Sequence, residues 1–266
     1  MLATALTIAG SDSSGGAGIQ ADIKTFSALG VFGMSAITAL TAQNTLGVSD
    51  IREMDTEIIR AQISAVFEDI AVGAVKIGML SSSAITRAVA ASLRQYRAKA
   101  VVVDPVMIAK SGSRLLQPEA IAALKTELFP LADVVTPNLF EAGEIVGFAV
   151  NDLKGMEAAA RAVHALGARH VVIKGGHLEG AACDVLFDGT TFVYLENERI
   201  NTPHTHGTGC TFSSAIAAGL AKGMSVEAAV RQAKEYITGA IRHGFPLGRG
   251  VGPTHHFFAL YEKAGN

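Results

Sequence analysis

The sequence has no tryptophan, only two cysteines in 266 residues, and 6% aromatic residues. Charge is balanced as well as sparse: the formal net charge is −2, and no block of like charges occurs. A nucleic-acid surface needs a basic stripe, usually with aromatics interleaved, and the chain has neither. Cys183 and Cys210 stand in unrelated contexts with no CxxC or paired spacing. That excludes a disulfide framework and a cysteine-built zinc site, and it fits a reducing cytoplasm. Apolar runs are broken by charges or turn residues well before membrane-spanning length, and the first, in "MLATALTIAG", follows no basic region. Neither a targeting segment nor a membrane partner is expected, which leaves small-molecule chemistry.

What is present is a chain with 49% hydrophobic residues, long enough to bury a substantial core. Short Val- and Ile-rich runs alternate with Ala-rich segments of helical period, separated by Gly, Pro, Asp or Asn. Strands are expected at "ATALTIAG", "SAITALTA", "GAVKIGM", "AVVVDPV", "ADVVTPN" and "HVVIKGG", and in the pair "CDVLFD" and "TFVYLE". Helices are expected over 17–29, 56–70, 82–97, 117–128, 138–147, 153–167, 210–222 and 225–242. Several strands are continuously apolar, as in a parallel sheet covered on both faces. The "DGT" between the last two strands reads as a hairpin turn and therefore as an antiparallel edge. The expected fold is α/β: one domain over 1–266, a three-layer α/β/α sandwich with a mostly parallel sheet. Ligands of such sheets bind beyond the carboxyl ends of the strands. Those ends carry Asp12, Gln43, Asn44, Lys76, Asp104, Thr136, Asn138 and Lys174.

Three motifs carry chemistry. In "HGTGC", Gly207 and Gly209 clear side chains from a helix start, where the backbone N–H groups of 207–210 converge on an anion hole. An ordinary glycine-rich helix start and a small buried cysteine are the bland alternatives. "DPVM" and "TPNLFEAGEI" bring Asp104, Thr136, Asn138 and Glu141 to strand ends, a donor set that suits Mg²⁺ held partly through water. Turn formation and helix capping would explain the same residues. "IKGGH" ends a strand with Lys174, which either approaches phosphates or is simply solvated. The loose glycine pattern after the first strand is a poor dinucleotide site, because the second strand ends in "TAQN" without the acid that holds a ribose. His204 and His206 read as loop histidines.

Taken together, "LTIAGSDSSGGAGIQADIKTFSALGVFG", "ITALTAQNTLGV", "KIGML", "DPVMIAKSG", "TPNLFEA", "VVIKGGH", "HGTGCTFSSAIAA" and "GVGPTHHF" resemble the hydroxymethylpyrimidine and phosphomethylpyrimidine kinases of thiamin biosynthesis, in the ribokinase-like superfamily. The resemblance implies ATP, Mg²⁺ and two successive phosphoryl transfers, to an aminopyrimidine alcohol and then to its monophosphate. It implies that Gln43, with Gly10, Asp12 and Ala17, lies in the acceptor half, and that Lys174, Asn138 and Thr136 lie in the nucleotide half. Asp104 and Glu141 fall at the magnesium positions. Gly207, Thr208, Gly209 and Cys210 fall at the catalytic anion hole, where Cys210 replaces the aspartate base of many relatives. A cytoplasmic homodimer is the expected assembly. Pyridoxine kinases of similar sequence share these motifs, so a pyridoxine or pyridoxal kinase and a non-catalytic pyrimidine-binding protein stay open as alternatives.

A helix N-terminus lowers the pKa of a thiol, which suits Cys210 as a base for the alcohol, although nearby ATP phosphates oppose this. The second acceptor is a phosphate whose second pKa is about 6 and which needs no base. A cysteine that stays neutral would spare that step a like charge, which an aspartate would not.

Overall fold

The computed structural model describes residues 2–108, 117–176 and 182–265. His177 and residues 109–112 of the "DPVMIAKSG" motif lie outside them. A nine-stranded sheet runs in the order β3-β2-β1-β4-β5-β6-β7-β8-β9. Its strands are β1 (Thr4–Asp12), β2 (Phe32–Asn44), β3 (Gly47–Glu53), β4 (Ala74–Ile77), β5 (Val101–Val103), β6 (Val134–Val135), β7 (His170–Ile173), β8 (Ala182–Phe187) and β9 (Phe192–Asn197). β2, β1, β4, β5, β6 and β7 are mutually parallel. β3 and the β8–β9 pair are antiparallel additions at the two edges.

Strand residues alternate between two cores, as a period of two requires. Leu6, Ile8, Val75, Ile77, Val101, Val103, Val171 and Ile173 face one core, while Ala5, Ala74, Val102, Val134 and Val172 face the other. The first core is closed by α2 (Thr56–Asp69), α3 (Ser83–Gln95), α4 (Pro118–Ala123), α5 (Leu139–Val146) and α6 (Leu153–His164). The second is closed by α1 (Gly18–Ala28), α7 (Thr208–Ala221) and α8 (Val226–Arg242). A short α9 (Phe258–Lys263) follows. α7 is rich in Ala, Ser and Gly because it is buried almost throughout, wedged against the sheet, α1 and α8. A Cβ at Gly219 would already crowd Ala229 of α8.

The eight expected helices are all present within a few residues, α4 continuing through a π turn and a 3-10 turn to Leu131. Two elements were not anticipated. "GVSDIRE" forms β3, whose polar, exposed residues give no apolar alternation to read. The six-residue α9 has no buried side chain and so no periodic stripe. No helix among the described residues is long and apolar enough to cross a membrane.

The chain leaves β1 toward β2 on one side and returns to β4 on the other. This reversal leaves a crevice at the carboxyl ends of β1 and β4, where an open α/β sheet offers its binding site. Core packing on the α2 side is expected to set stability. Ile63→Ala, which truncates a fully buried side chain, should lower unfolding free energy by about 2–5 kcal/mol. Ile58→Ala on the exposed side of the same helix should change it by less than about 0.5 kcal/mol. Urea titration of both variants checks this; similar midpoints would contradict the assigned core.

Candidate active site

The crevice has a volume of about 1490 Å³, and Gln43, Met79, Cys210, Lys174, Ile237 and Ile241 are among the residues that line it. Small-molecule pockets are typically about 300–1,000 Å³, so this one has room for two ligands end to end.

Helix α7 opens into it. Gly207 is its N-cap, in a left-handed conformation at φ 81°, with no side chain capping the first turn. Thr208, Gly209 and Cys210 are the first three helical residues, and the Thr208 hydroxyl turns away to donate to the Thr205 carbonyl at 2.8 Å. First-turn amides have no carbonyl four residues back within the helix. Those of Gly209 and Cys210, with the positive dipole end behind them, are therefore available to an anion. Only glycine fits at 207, because a Cβ there would overlap the Gly16 carbonyl oxygen. Helix α5 contrasts with this: Asn138 Oδ1 accepts from the Glu141 amide at 2.9 Å and Glu141 Oε2 from the Asn138 amide at 2.8 Å, a closed capping box.

Across the loop from α7, Lys174 donates to Asp104 Oδ1 at 2.7 Å and lies 3.8 Å from Glu141 Oε2. It is largely buried and paired, not a solvated strand-end lysine. Burial would lower its pKa, but the Asp104 and Glu141 charges outweigh that and raise it. Burial pushes the Glu141 carboxyl up to about 7 against the opposing pull of Lys174. Thr136 is buried behind Asp104 and donates to it at 3.2 Å. It supports the carboxylate, and does not line the crevice as a nucleotide contact would. Ser213 Oγ approaches the other oxygen of Asp104 at 3.4 Å.

In the other half, Asp12 organises its own loop. Its Oδ1 accepts from the Ser14 amide and hydroxyl, and its Oδ2 from the Gly16 and Ala17 amides. The same Oδ2 lies 2.9 Å from His206 Nε2. Burial would raise the Asp12 pKa, but these bonds, that of His206 foremost, lower it. Asp12 lines the crevice, and its carboxylate also holds the Ala17 amide and His206 in place. His206 is likewise no free loop histidine but a buried residue of the site. Gly10 and Ala17 line the crevice beside Gln43.

One end of the Gln43 amide lies 3.4 Å from His206 Nε2 and the other 3.1 Å from Thr41 Oγ1, which donates to the Ser11 carbonyl. A His206 Nε2–H directed at ionised Asp12 cannot face a second donor. The consistent assignment turns the amide, so that its oxygen faces His206 and its NH₂ donates to Thr41. One amide hydrogen and one carbonyl lone pair then remain for a ligand.

Cys210 is half-buried, with the Gly18 amide directed at its sulfur. Burial pushes its thiol up to about 11 against the pull of Lys76, with Asp22 and Asp104 adding to the rise. The lowering expected of the helix N-terminus is outweighed, and the thiol stays chiefly neutral.

Residues 12–255 match the family model described as phosphomethylpyrimidine kinase. The chain belongs to this family. Among its relatives, a hydroxymethylpyrimidine/phosphomethylpyrimidine kinase of Streptomyces coelicolor is 54% identical over 97% of the chain and 95% of that protein. A thiamine biosynthesis bifunctional protein of Geobacter sulfurreducens is 53% identical over 97% of the chain, which spans only 53% of that longer protein. A crystal structure of an ADP complex of Bacillus subtilis pyridoxal kinase superimposes with a TM-score of 0.92 at 47% identity, covering 98% of this chain and 99% of that one.

In this phosphomethylpyrimidine kinase family member the α7 loop is the feature most open to test. Gly207→Ala forces a side chain into a left-handed conformation, at about 1–2 kcal/mol, and displaces Gly16. Denaturant unfolding should register that loss or more, and ATP turnover should fall by about 10²–10³-fold, as when an oxyanion donor is lost. Unchanged turnover in a destabilised variant would remove the loop from the chemistry.

Proposed function

We infer that this protein is an ATP-dependent kinase that phosphorylates 4-amino-5-hydroxymethyl-2-methylpyrimidine and then its monophosphate, in thiamin biosynthesis. The observation that carries the reading is an uncapped helix N-terminus in a crevice that is also lined by an amide suited to an aminopyrimidine and, beside Gly209, by a lysine–carboxylate cluster. Membership of the family and the printed activity of the Streptomyces relative support it.

Phosphoryl transfer requires in-line positioning and stabilisation of charge on the transferring group. Gln43 holds the aminopyrimidine edge, with His206 and Thr41 fixing the amide. The Gly209 and Cys210 amides face the transferring phosphoryl oxygens, and Lys174 and Asn138 lie on the nucleotide side. Two carboxylates are what Mg²⁺ takes when phosphates and water complete its shell, so Asp104 and Glu141 fit the ion that accompanies ATP and neutralises phosphate charge. Cys210 is chiefly a neutral thiol at ordinary pH. For the alcohol the base is its thiolate minority, which has released its proton to solvent and takes the alcohol's as the bond to phosphorus forms; for the monophosphate the neutral thiol adds no negative charge. The same reading takes the protein to be a cytoplasmic homodimer, with the exposed Leu40 and Leu46 of the β2–β3 hairpin as apolar surface.

The likeness to pyridoxal kinase favours one second reading, phosphorylation of pyridoxal. Turnover of both acceptors measured side by side, with product analysis, separates the two.

Gln43→Glu removes the amide donor, and should weaken aminopyrimidine binding by about 1–3 kcal/mol, the range for one bidentate contact. Pyridoxal, which lacks the amino group, should lose less. Equal calorimetric affinities in variant and parent would withdraw Gln43 from recognition.

Position 210 should divide the two transfers. Cys210→Ala should slow transfer to the alcohol by at least about 10²-fold, the lower range for loss of a general base, and affect transfer to the monophosphate much less. Cys210→Asp should retain the first transfer and impair the second through like-charge repulsion. Single-turnover measurements with each acceptor decide; matched losses in both steps would leave Cys210 only a shaping role.

A further inference from the structure

Beneath the crevice lies an ion pair that the reaction above does not use. Lys76 and Asp22 are both fully buried, and the Lys76 ammonium donates to both carboxylate oxygens at 2.9 Å. Asp22 is saturated, its Oδ1 also accepting from Ser214 Oγ and its Oδ2 from Thr7 Oγ1, each at 2.6 Å. Lys76 is not. Among the described residues its bonds go to Asp22 alone, which leaves one of its three hydrogens directed elsewhere.

The direction is fixed by Gly78. A Cβ at that position would come within 2.9 Å of the Lys76 ammonium nitrogen, so the side chain curls past the end of β4. There it lines the crevice together with Cys210. Cys210 lies one helical turn before Ser214, whose hydroxyl donates to Asp22 at 2.6 Å, so both side chains leave α7 on the face that meets the pair; Asp104 beyond β5 and Lys174 beyond β7 stand 3.4 and 3.5 Å from where a Cβ on the preceding Gly209 would lie. Asp12 and His206 lie in the same crevice, bonded to each other. Lys76 exerts the largest charge effect on the thiol, and Asp22 the next, with opposite sign. A buried pair that served packing alone could be replaced by apolar side chains without loss. An ammonium that sets the field at a nearby reactive sulfur could not.

We propose that Lys76, anchored by Asp22, is a positioning residue that supplies a fixed positive field at the Cys210 sulfur and so governs the reactivity of that thiol. The link from thiol reactivity to acceptor chemistry rests on the kinase reading above, but the field itself can be measured without turnover.

The test is alkylation of the full chain by iodoacetamide between pH 8 and 9.5, without ATP or acceptor, followed on the Cys210 peptide by mass spectrometry so that Cys183 does not interfere. An opposite charge at contact range shifts a pKa by about 1–3 units, and the thiolate is the species that reacts. Lys76→Met should therefore slow alkylation about tenfold or more. Asp22→Asn, which keeps a hydrogen-bonding side chain and leaves Lys76 uncompensated, should accelerate it by a similar factor. Opposed signs are the signature of a field, because loosened packing would expose the thiol in both variants and accelerate both. Should Lys76→Met fail to fold, the Asp22→Asn/Lys76→Met double variant, which removes both charges, must react more slowly than Asp22→Asn alone. Shifts in the same direction, or a double variant as fast as Asp22→Asn, would overturn the proposal. An inactive protein that still gave opposed shifts would overturn the kinase reading while leaving this one intact.

Discussion

Four elements meet at the Asp22 carboxylate. Thr7 of β1, Lys76 of β4, Ser214 of α7 and Asp22 of α1 are all fully buried and joined by bonds of 2.6–2.9 Å. β1 and β4 are the strands whose carboxyl ends bound the crevice, and α7 carries the open N-terminus into it. A buried ion pair contributes little net stability, yet removing one partner costs about 3–5 kcal/mol because the other is stranded. What such a cluster supplies is geometry: a slip of α7 along the sheet, tolerable for its smooth Ala and Gly surface, would break a charged network.

The rest of the crevice divides labour between helix ends. α5 closes its own first turn with Asn138 and Glu141, which fixes the Glu141 carboxylate near Lys174. α7 leaves its first turn open, and glycines keep side chains away from it. At the loop before α1, amides that would otherwise attract an anion are taken by Asp12. The first turn of α7 thus enters the crevice without a side-chain cap, with the Gly16 loop against Gly207 and the Asp104–Lys174 pair beside Gly209.

The layered fold was legible in the sequence because its strands are continuously apolar and its helices strongly periodic. β3 was not, since an edge strand exposed on both faces has no pattern to impose. The residues that line the crevice around the first turn of α7 were legible as a set because glycines and strand-end polar groups are local signals. The Asp22–Lys76 pair was not: it spans 54 positions, and its trace is only a lysine inside "AVKI" and an aspartate on the apolar face of α1. Each contradicts its local pattern, and two such contradictions that cancel in charge are a signal worth pairing. His206 was misjudged for a similar reason, since its partner Asp12 lies 194 positions away.

The charge state of Cys210 also depended on information that sequence does not carry. A helix start is local and argues for an ionised thiol, whereas burial is a property of the whole fold and acts more strongly in the other direction. The outcome suits a site with two acceptors. An alcohol needs somewhere for its proton to go as phosphorus is attacked, and a monophosphate needs the absence of a further anion beside its own charge and that of ATP. An aspartate meets the first need and fails the second; an alanine does the reverse. A thiol kept mostly neutral by burial can serve the alcohol through its small thiolate fraction, whose proton has gone to solvent, and carry no charge beside the monophosphate.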